Sequence, residues 1–373
     1  MKPSRFQTQQ VVSEPTVQKS NGLVKRGSRQ DQVDMIEEVD VVLKRQHGKH
    51  KHGDVKLFVF GDSYVDTGNW PKSTSSSWKE PYGFTYPGFP SGRFSDGLVL
   101  TDFIASFLGI RSPQPYTNRK GSSQSDNYGV NFAYGGTGVF NTFVNQPNMT
   151  TQINYFQQLF EDEEQVYNKE NMSSSIALVS VAGNDYATFL TKNNNNMEDL
   201  GNFTKSILSE LELNLRRIHG LGVSKIGITT MEPLGCLPKM TIASSYENCS
   251  ESANSFSIFH NQMLHQTIEK LNNQTGGQSF FILDLYSAFM SALDIQQNHP
   301  GNSNFENPFK PCCMGTSSKY SCGDQSGLQK KYVICKNPEL SFFWDVIHPS
   351  QQGWFAVFSA LKPSLSSLLY TIA

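Results

Sequence analysis

No run of apolar residues in this 373-residue chain approaches the roughly 20 that a bilayer-spanning helix needs. An integral membrane segment is thereby excluded. A basic excess is also missing: 31 Lys/Arg against 33 Asp/Glu leave a formal charge of -2, with a pI near 6.5. Without a positive field there is nothing to hold a polyanion, so nucleic acid is excluded as a partner. Histidines at zinc-ligand spacing from the cysteines are lacking too, and no metal site is expected. No internal repeat is visible.

The first 53 residues lack a core. They hold a single aromatic residue, Phe6, no cysteine, and a local surplus of Lys and Arg, too little apolar surface to offset the entropy of ordering a chain. Residues 1–53 are expected to be a mostly disordered extension, preceding one domain over 54–373. Within the extension, "DQVDMIEEVDVVLKR" (31–45) puts Val33, Ile36, Val39 and Leu43 at helical spacing with acids first and bases last, which predicts a short helix. His47, His50 and His52 follow in "KRQHGKHKHG"; the lysines between them repel a cation, and a solvated linker is expected.

From Val55 the pattern becomes strand and helix in alternation. "VKLFVF" (55–60), "SIALVSVA" (175–182), "SKIGITTM" (224–231) and "SFFILDL" (279–285) are short apolar runs rich in β-branched and aromatic residues. Ile207, Leu211, Leu215 and Ile218 mark one face of a helix over 203–219, ahead of Gly220 and Gly222, and another helix fits 251–272. Such alternation predicts an α/β fold: a parallel sheet covered by helices on both faces, with chemistry at the carboxyl ends of the strands.

Four short polar motifs follow, the first and third of them at such strand ends. Gly61-Asp62-Ser63 follows the first strand, trailed by Asp66, Thr67, Gly68 and Asn69. "NFAYGGTGVF" (131–140) brings Gly135, Gly136 and Gly138, "AGNDY" brings Asn184 and Asp185 after a later strand, and "FFWDVIHPS" sets Asp345 three residues before His348. Taken singly these are a turn, a tight backbone crossing, a helix cap and a local hydrogen bond. Together they supply a hydroxyl nucleophile, an imidazole base, a carboxylate to orient it and amide donors for an oxyanion, the parts for acyl transfer. The Gly-x-Ser-x-Gly elbow of the α/β-hydrolases occurs nowhere in the chain.

"FVFGDSYVDTGN", "GVNFAYGGTG", "VAGNDY" and "FWDVIHP" resemble the four blocks of the plant GDSL esterase/lipase family, within the SGNH hydrolase superfamily. "YPGFPSGRFSDGLVLTDFIASFLGI" and "MEPLGCLP" resemble the same branch, so the likeness runs from about Val55 to the end. One departure is Tyr64, where the family name implies leucine. The resemblance implies a three-layer α/β/α sandwich around a parallel sheet, the SGNH hydrolase fold. It implies Ser63 as nucleophile, His348 as base and Asp345 as the acid holding it, with oxyanion donors from the Ser63 N–H, the Gly136 N–H and the Asn184 side chain. Asp185 is expected to be structural. The implied activity is hydrolysis of carboxylic acyl esters, lipid, polysaccharide or small-molecule, through an acyl-enzyme and with no cofactor; an acyltransferase on the same site and an idle glycan- or lipid-binding member are the alternatives. Most of the 26 phenylalanines belong to the core, though some are candidates to line an acyl pocket.

The six cysteines, Cys236, Cys249, Cys312, Cys313, Cys322 and Cys335, all fall late in the chain. Adjacent Cys312 and Cys313 suit two separate bridges better than a core, so disulfides are expected; fifteen connectivities are open, with Cys236 and Cys249 the simplest loop to close. Sequons at Asn148, Asn171, Asn202, Asn248 and Asn273 likewise point to a secreted or secretory-pathway protein. Against this, "MKPSRFQTQQ" has no apolar h-region and reads as no secretory signal.

Overall fold

The computed structural model describes residues 55–119, 128–161, 167, 172–194, 198–298 and 305–370. The expected helix over 31–45, the His47, His50 and His52 tract and the boundary at 53/54 lie outside the described residues. Six strands make the main sheet: β1 (Leu57–Gly61), β2 (Gln114–Pro115), β3 (Val130–Asn131), β4 (Ile176–Ser180), β5 (Lys225–Thr229) and β6 (Phe280–Leu283). Their order is β2-β3-β1-β4-β5-β6 and every neighbouring pair is parallel. The four expected apolar runs are β1, β4, β5 and β6. Strands β2 and β3 escape sequence reasoning because two residues carry no periodicity.

Side chains alternate across this sheet. Leu57 and Val59 of β1, with Leu178 and Leu283, enter one core, whose other wall comes from α1 (Leu100–Phe107), α7 (Leu285–Asn298) and α8 (Gln351–Tyr370). Phe58 and Phe60, with Val179 and Ile226, enter the opposite core beneath α2 (Met149–Gln158), α4 (Leu200–Gly220) and α6 (Glu251–Thr275). The fold is therefore the three-layer α/β/α sandwich of the SGNH hydrolases, with strands buried on both faces as their composition requires. Ile207, Leu211, Leu215 and Ile218 are all buried on α4. Helix α6 begins at a Ser250 cap that accepts the Ala253 N–H and ends at Gly276 with φ +69°, a left-handed conformation suited to glycine. Among the described residues no helix is long and apolar enough to cross a membrane.

Because sheet order changes direction at β1, the loops leaving β1, β3 and β4 emerge side by side, where α/β sheets place their ligands. The loop after β4 leads into α3 (Gly183–Lys192), and the loop after β5 into the single turn α5 (Pro238–Thr241).

Between α7 and α8 the chain makes a cysteine-rich excursion. Strand β7 (Cys313–Gly315) precedes the β8 (Gln325–Ser326) and β9 (Gln329–Lys330) hairpin, and pairs antiparallel with β10 (Tyr332–Ile334). All six cysteines are bridged, as Cys236–Cys249, Cys312–Cys335 and Cys313–Cys322. Adjacent Cys312 and Cys313 thus do serve two bridges. Their N–H groups donate to Phe343 O and Trp344 O, at 3.0 and 2.7 Å, so the excursion is stitched to the stretch that carries Asp345. Of the sequon asparagines, Asn202, Asn248 and Asn273 are exposed, Asn148 caps α2, and Asn171 lies outside the described residues.

Replacing Cys312 and Cys335 together by Ala should lower unfolding stability by about 2–4 kcal/mol, the usual worth of restraining a loop in the unfolded chain. Urea unfolding of the oxidised protein reads this directly; an unchanged midpoint would mean the backbone bonds hold the excursion unaided.

Candidate active site

Strand β1 ends at Gly61, whose φ of +145° and whose approach to β4 leave no room for a side chain: a Cβ there would lie 2.1 Å from Ser180 O. Backbone bonds continue here, from the Asp62 N–H to Ser180 O at 3.2 Å and from the Tyr134 N–H to Gly61 O at 3.0 Å, and Gln152 adds a grip on Gly61, accepting its N–H at 2.9 Å and donating to its O at 3.0 Å. Asp62 Oδ1 then accepts the Tyr64 N–H at 3.1 Å, folding a tight turn with Ser63 at its apex. Burial raises the Asp62 carboxyl well above the usual carboxylate value.

The stretch from 343 to 350 faces Ser63. His348 Nε2 is 2.9 Å from Ser63 Oγ, and His348 Nδ1 is 2.9 and 2.8 Å from Asp345 Oδ1 and Oδ2. Asp345 Oδ1 also accepts the N–H groups of Ile347 and His348, each at 2.8 Å, while Oδ2 accepts the Tyr82 hydroxyl at 2.7 Å. Burial alone would raise this carboxyl; the His348 ring and these donors outweigh it and hold Asp345 below its ordinary value. The loop is pinned from outside as well, with Tyr64 donating to Ile347 O at 3.2 Å and the Lys239 N–H to Val346 O at 2.9 Å.

Glycines 135 and 136 come from the loop after β3. Gly136 has φ +75°, and a Cβ there would sit 2.9 Å from Val144 Cγ1, so both conformation and space require glycine. Two carboxylates clamp this loop. Asp66 accepts the Gly68 and Asn69 N–H groups on Oδ1, both at 2.7 Å, and the Gly135 N–H on Oδ2 at 2.9 Å. Asp185 accepts the Val139 and Phe140 N–H groups at 2.9 and 2.8 Å. Burial pushes both carboxyls up to about 6. Asn184, one residue before Asp185 in α3, donates to Thr137 O at 3.0 Å and lies 3.3 Å from Asp62 Oδ2. Among the described residues, neither the Ser63 nor the Gly136 N–H meets an acceptor.

The fold therefore brings Ser63, His348, Asp345, Gly136 and Asn184 to one end of the sheet. No cluster of metal ligands occurs among the described residues. Gln152 and Tyr82 enter without any signal in the sequence, and Glu232, inside the stretch "MEPLGCLP", enters with no role marked for it. Glu232, in the loop after β5, is buried, with a carboxyl raised by that burial, and its Oε1 would be 3.3 Å from a Cβ on Gly183. It borders both the histidine loop and the start of α3.

Asp185→Ala strands two N–H donors and should cost about 1–3 kcal/mol. The sign of its pH dependence is fixed: a carboxyl bound at about 6 in the fold against 3.8 when free stabilises most at low pH, and that contribution is lost as pH rises through 6. Denaturant unfolding should thus show a larger penalty for Asp185→Ala near pH 4.5 than near pH 7.5, and equal penalties would contradict the raised value.

Comparison with known proteins bears on this arrangement. Residues 57–361 match the family described as GDSL-like Lipase/Acylhydrolase. One GDSL esterase/lipase of Arabidopsis thaliana is 49% identical over 328 residues, covering 87% of this chain and 90% of the relative. A second from the same plant is 50% identical over 317 residues, covering 84% and 89%, and the Arabidopsis thaliana GDSL esterase/lipase 5 is 30% identical over 316 residues, covering 80% of each. Identity of this depth, spanning the sheet, the glycine loop and the histidine loop alike, makes the chain a member of the GDSL-like lipase/acylhydrolase family, a family of carboxylic ester hydrolases.

Proposed function

We propose that the protein cleaves acyl esters through Ser63, His348 and Asp345 by way of an acyl-enzyme. The observation that carries this reading is the continuous line from Ser63 Oγ through both nitrogens of His348 to Asp345, with contacts of 2.8–2.9 Å throughout. An Nδ1–H donated to Asp345 leaves the Nε2 lone pair facing the serine hydroxyl, the tautomer a general base needs. His348 takes the Ser63 proton as Oγ attacks the ester carbonyl, then gives it to the departing alcohol oxygen. Water, deprotonated by the same nitrogen, attacks the acyl carbon, and Ser63 leaves with its proton restored. Asp345 stabilises the imidazolium at both stages.

The negative charge that grows on the carbonyl oxygen is assigned to three donors. Among the described residues the Ser63 and Gly136 N–H groups are without acceptors, and Asn184 commits one amide hydrogen to Thr137 O, leaving the other to swing from Asp62 to the oxyanion. No step needs a metal or cofactor to balance. The three disulfides are compatible with a secreted protein.

A panel of p-nitrophenyl esters tests the proposal. Wild type should hydrolyse them, and Ser63→Ala should abolish turnover with its melt nearly unchanged; a serine that only shaped the turn would instead cost about 1 kcal/mol and spare activity. His348→Ala should match that loss without deepening it in the double variant, since the pair acts as a unit. Asn184→Ala should lower kcat about 100- to 1,000-fold, as loss of one oxyanion donor does. A wild-type protein inert to the whole panel would make the cleft a binding site.

A further inference from the structure

Tyr82 lies 263 positions before Asp345 in the chain, in a loop with no place in the mechanism above, yet its hydroxyl is 2.7 Å from Asp345 Oδ2 and both groups are buried. We propose that Tyr82 is a positioning residue for the reaction, its phenol fixing the second oxygen of Asp345 and through it the orientation and basicity of His348. The inference rests on the triad reading given under the proposed function.

Three features support it. First, the donors on the carboxylate are divided unevenly. Oδ1 is held by two backbone N–H groups of its own loop, whereas among the described residues Oδ2 meets only the Tyr82 hydroxyl and a share of His348 Nδ1. Without the phenol, Oδ2 has no anchor outside the histidine it is meant to orient. Second, the phenol is itself held. The Tyr82 ring packs with Cys312, Cys313, Cys322, Tyr332 and Trp344, a small core closed by two disulfides and separate from the two beside the sheet. Third, the ring has little freedom to turn: it stands edge-on to Phe94 and to Trp344, with centroids 6.3 and 6.4 Å away, so the hydroxyl is presented to Asp345 from a fixed place.

The consequence is electrostatic. A hydrogen bond donated to Oδ2 draws negative charge away from the side facing Nδ1, so the phenol moderates how strongly Asp345 stabilises the imidazolium. The other groups facing the pair do not replace it. Glu232 and Tyr64 approach His348 from the β5 and β1 loops, Asp324 faces Tyr82 from the cysteine-rich excursion, and none of them donates to Asp345.

Tyr82→Phe keeps the ring and removes only the donor. With isotope-labelled histidine, the His348 resonance, assigned by its loss in His348→Ala, can be titrated in wild type and variant. The imidazole should take up its proton at a pH higher by about half a unit to one unit in Tyr82→Phe. Where the wild type hydrolyses p-nitrophenyl acetate, the acid limb of its kcat/KM profile should move by the same amount, with kcat down about tenfold and KM little changed. An unshifted titration in Tyr82→Phe, whatever happens to its melt, reduces Tyr82 to packing and overturns the proposal. The titration needs no turnover, so it separates this failure from failure of the hydrolase reading, which shows as an inactive wild type.

Discussion

A carboxylate taken out of water must find donors, and this fold uses that requirement to shape its loops. Asp66, Asp185 and Asp345 are buried, and each accepts N–H groups from backbone that no helix or strand satisfies. Asp66 ties the turn after β1 to Gly135; Asp185 ties the start of α3 to Val139 and Phe140; Asp345 ties its own loop into a compact bend. The glycine loop therefore has a carboxylate at each end, and Gly136 is held between them. Loops this short would otherwise be the most mobile part of the molecule. Here their geometry follows from acid–amide contacts of 2.7–2.9 Å.

The sheet and the cysteine-rich excursion complete the frame from opposite sides. Gly61 brings β1 against Ser180 of β4, so Ser63 and Asn184, which sit 121 positions apart, leave adjacent strands. The histidine loop cannot be placed by the sheet, because it follows the last strand of the sheet by more than 50 positions. It is placed instead by Cys312 and Cys313, whose N–H groups hold Phe343 and Trp344, by Tyr64 and Lys239 on its carbonyls, and by Tyr82 on its acid. The disulfides thus act close to the proposed chemistry.

Much of this was legible from the sequence, for a physical reason. Strands buried on both faces need continuous apolar runs, and β1, β4, β5 and β6 show them. Ser63, Gly136, Asn184, Asp345 and His348 stand out because each sits in a short polar motif, Ser63 and Asn184 just past an apolar strand. Bridges at Cys312 and Cys313 followed from their adjacency, since two neighbouring half-cystines have to reach different partners. What stayed hidden depends on long-range pairing between common residue types. Gln152 serves Gly61 across 91 positions and Tyr82 serves Asp345 across 263, and no local pattern marks a glutamine or tyrosine for such work. Glu232 stood inside "MEPLGCLP", yet nothing in that stretch marked its acid for the neighbourhood of the histidine to which β5 carries it. Strands β2 and β3 were too short to register a period, yet β3 sets the course of the glycine loop. Helix α8 also went unmarked, although it closes one core.

The central claim is that the serine at the end of β1 is nucleophilic because His348 removes its proton. Reaction with a fluorophosphonate, followed by peptide mapping of the adduct, tests it most directly, since the reagent needs an activated serine and no knowledge of the substrate. The adduct should fall on Ser63 in wild type and be absent from His348→Ala that retains its fold. An adduct on another serine, or equal labelling of Ser63 without His348, would contradict it.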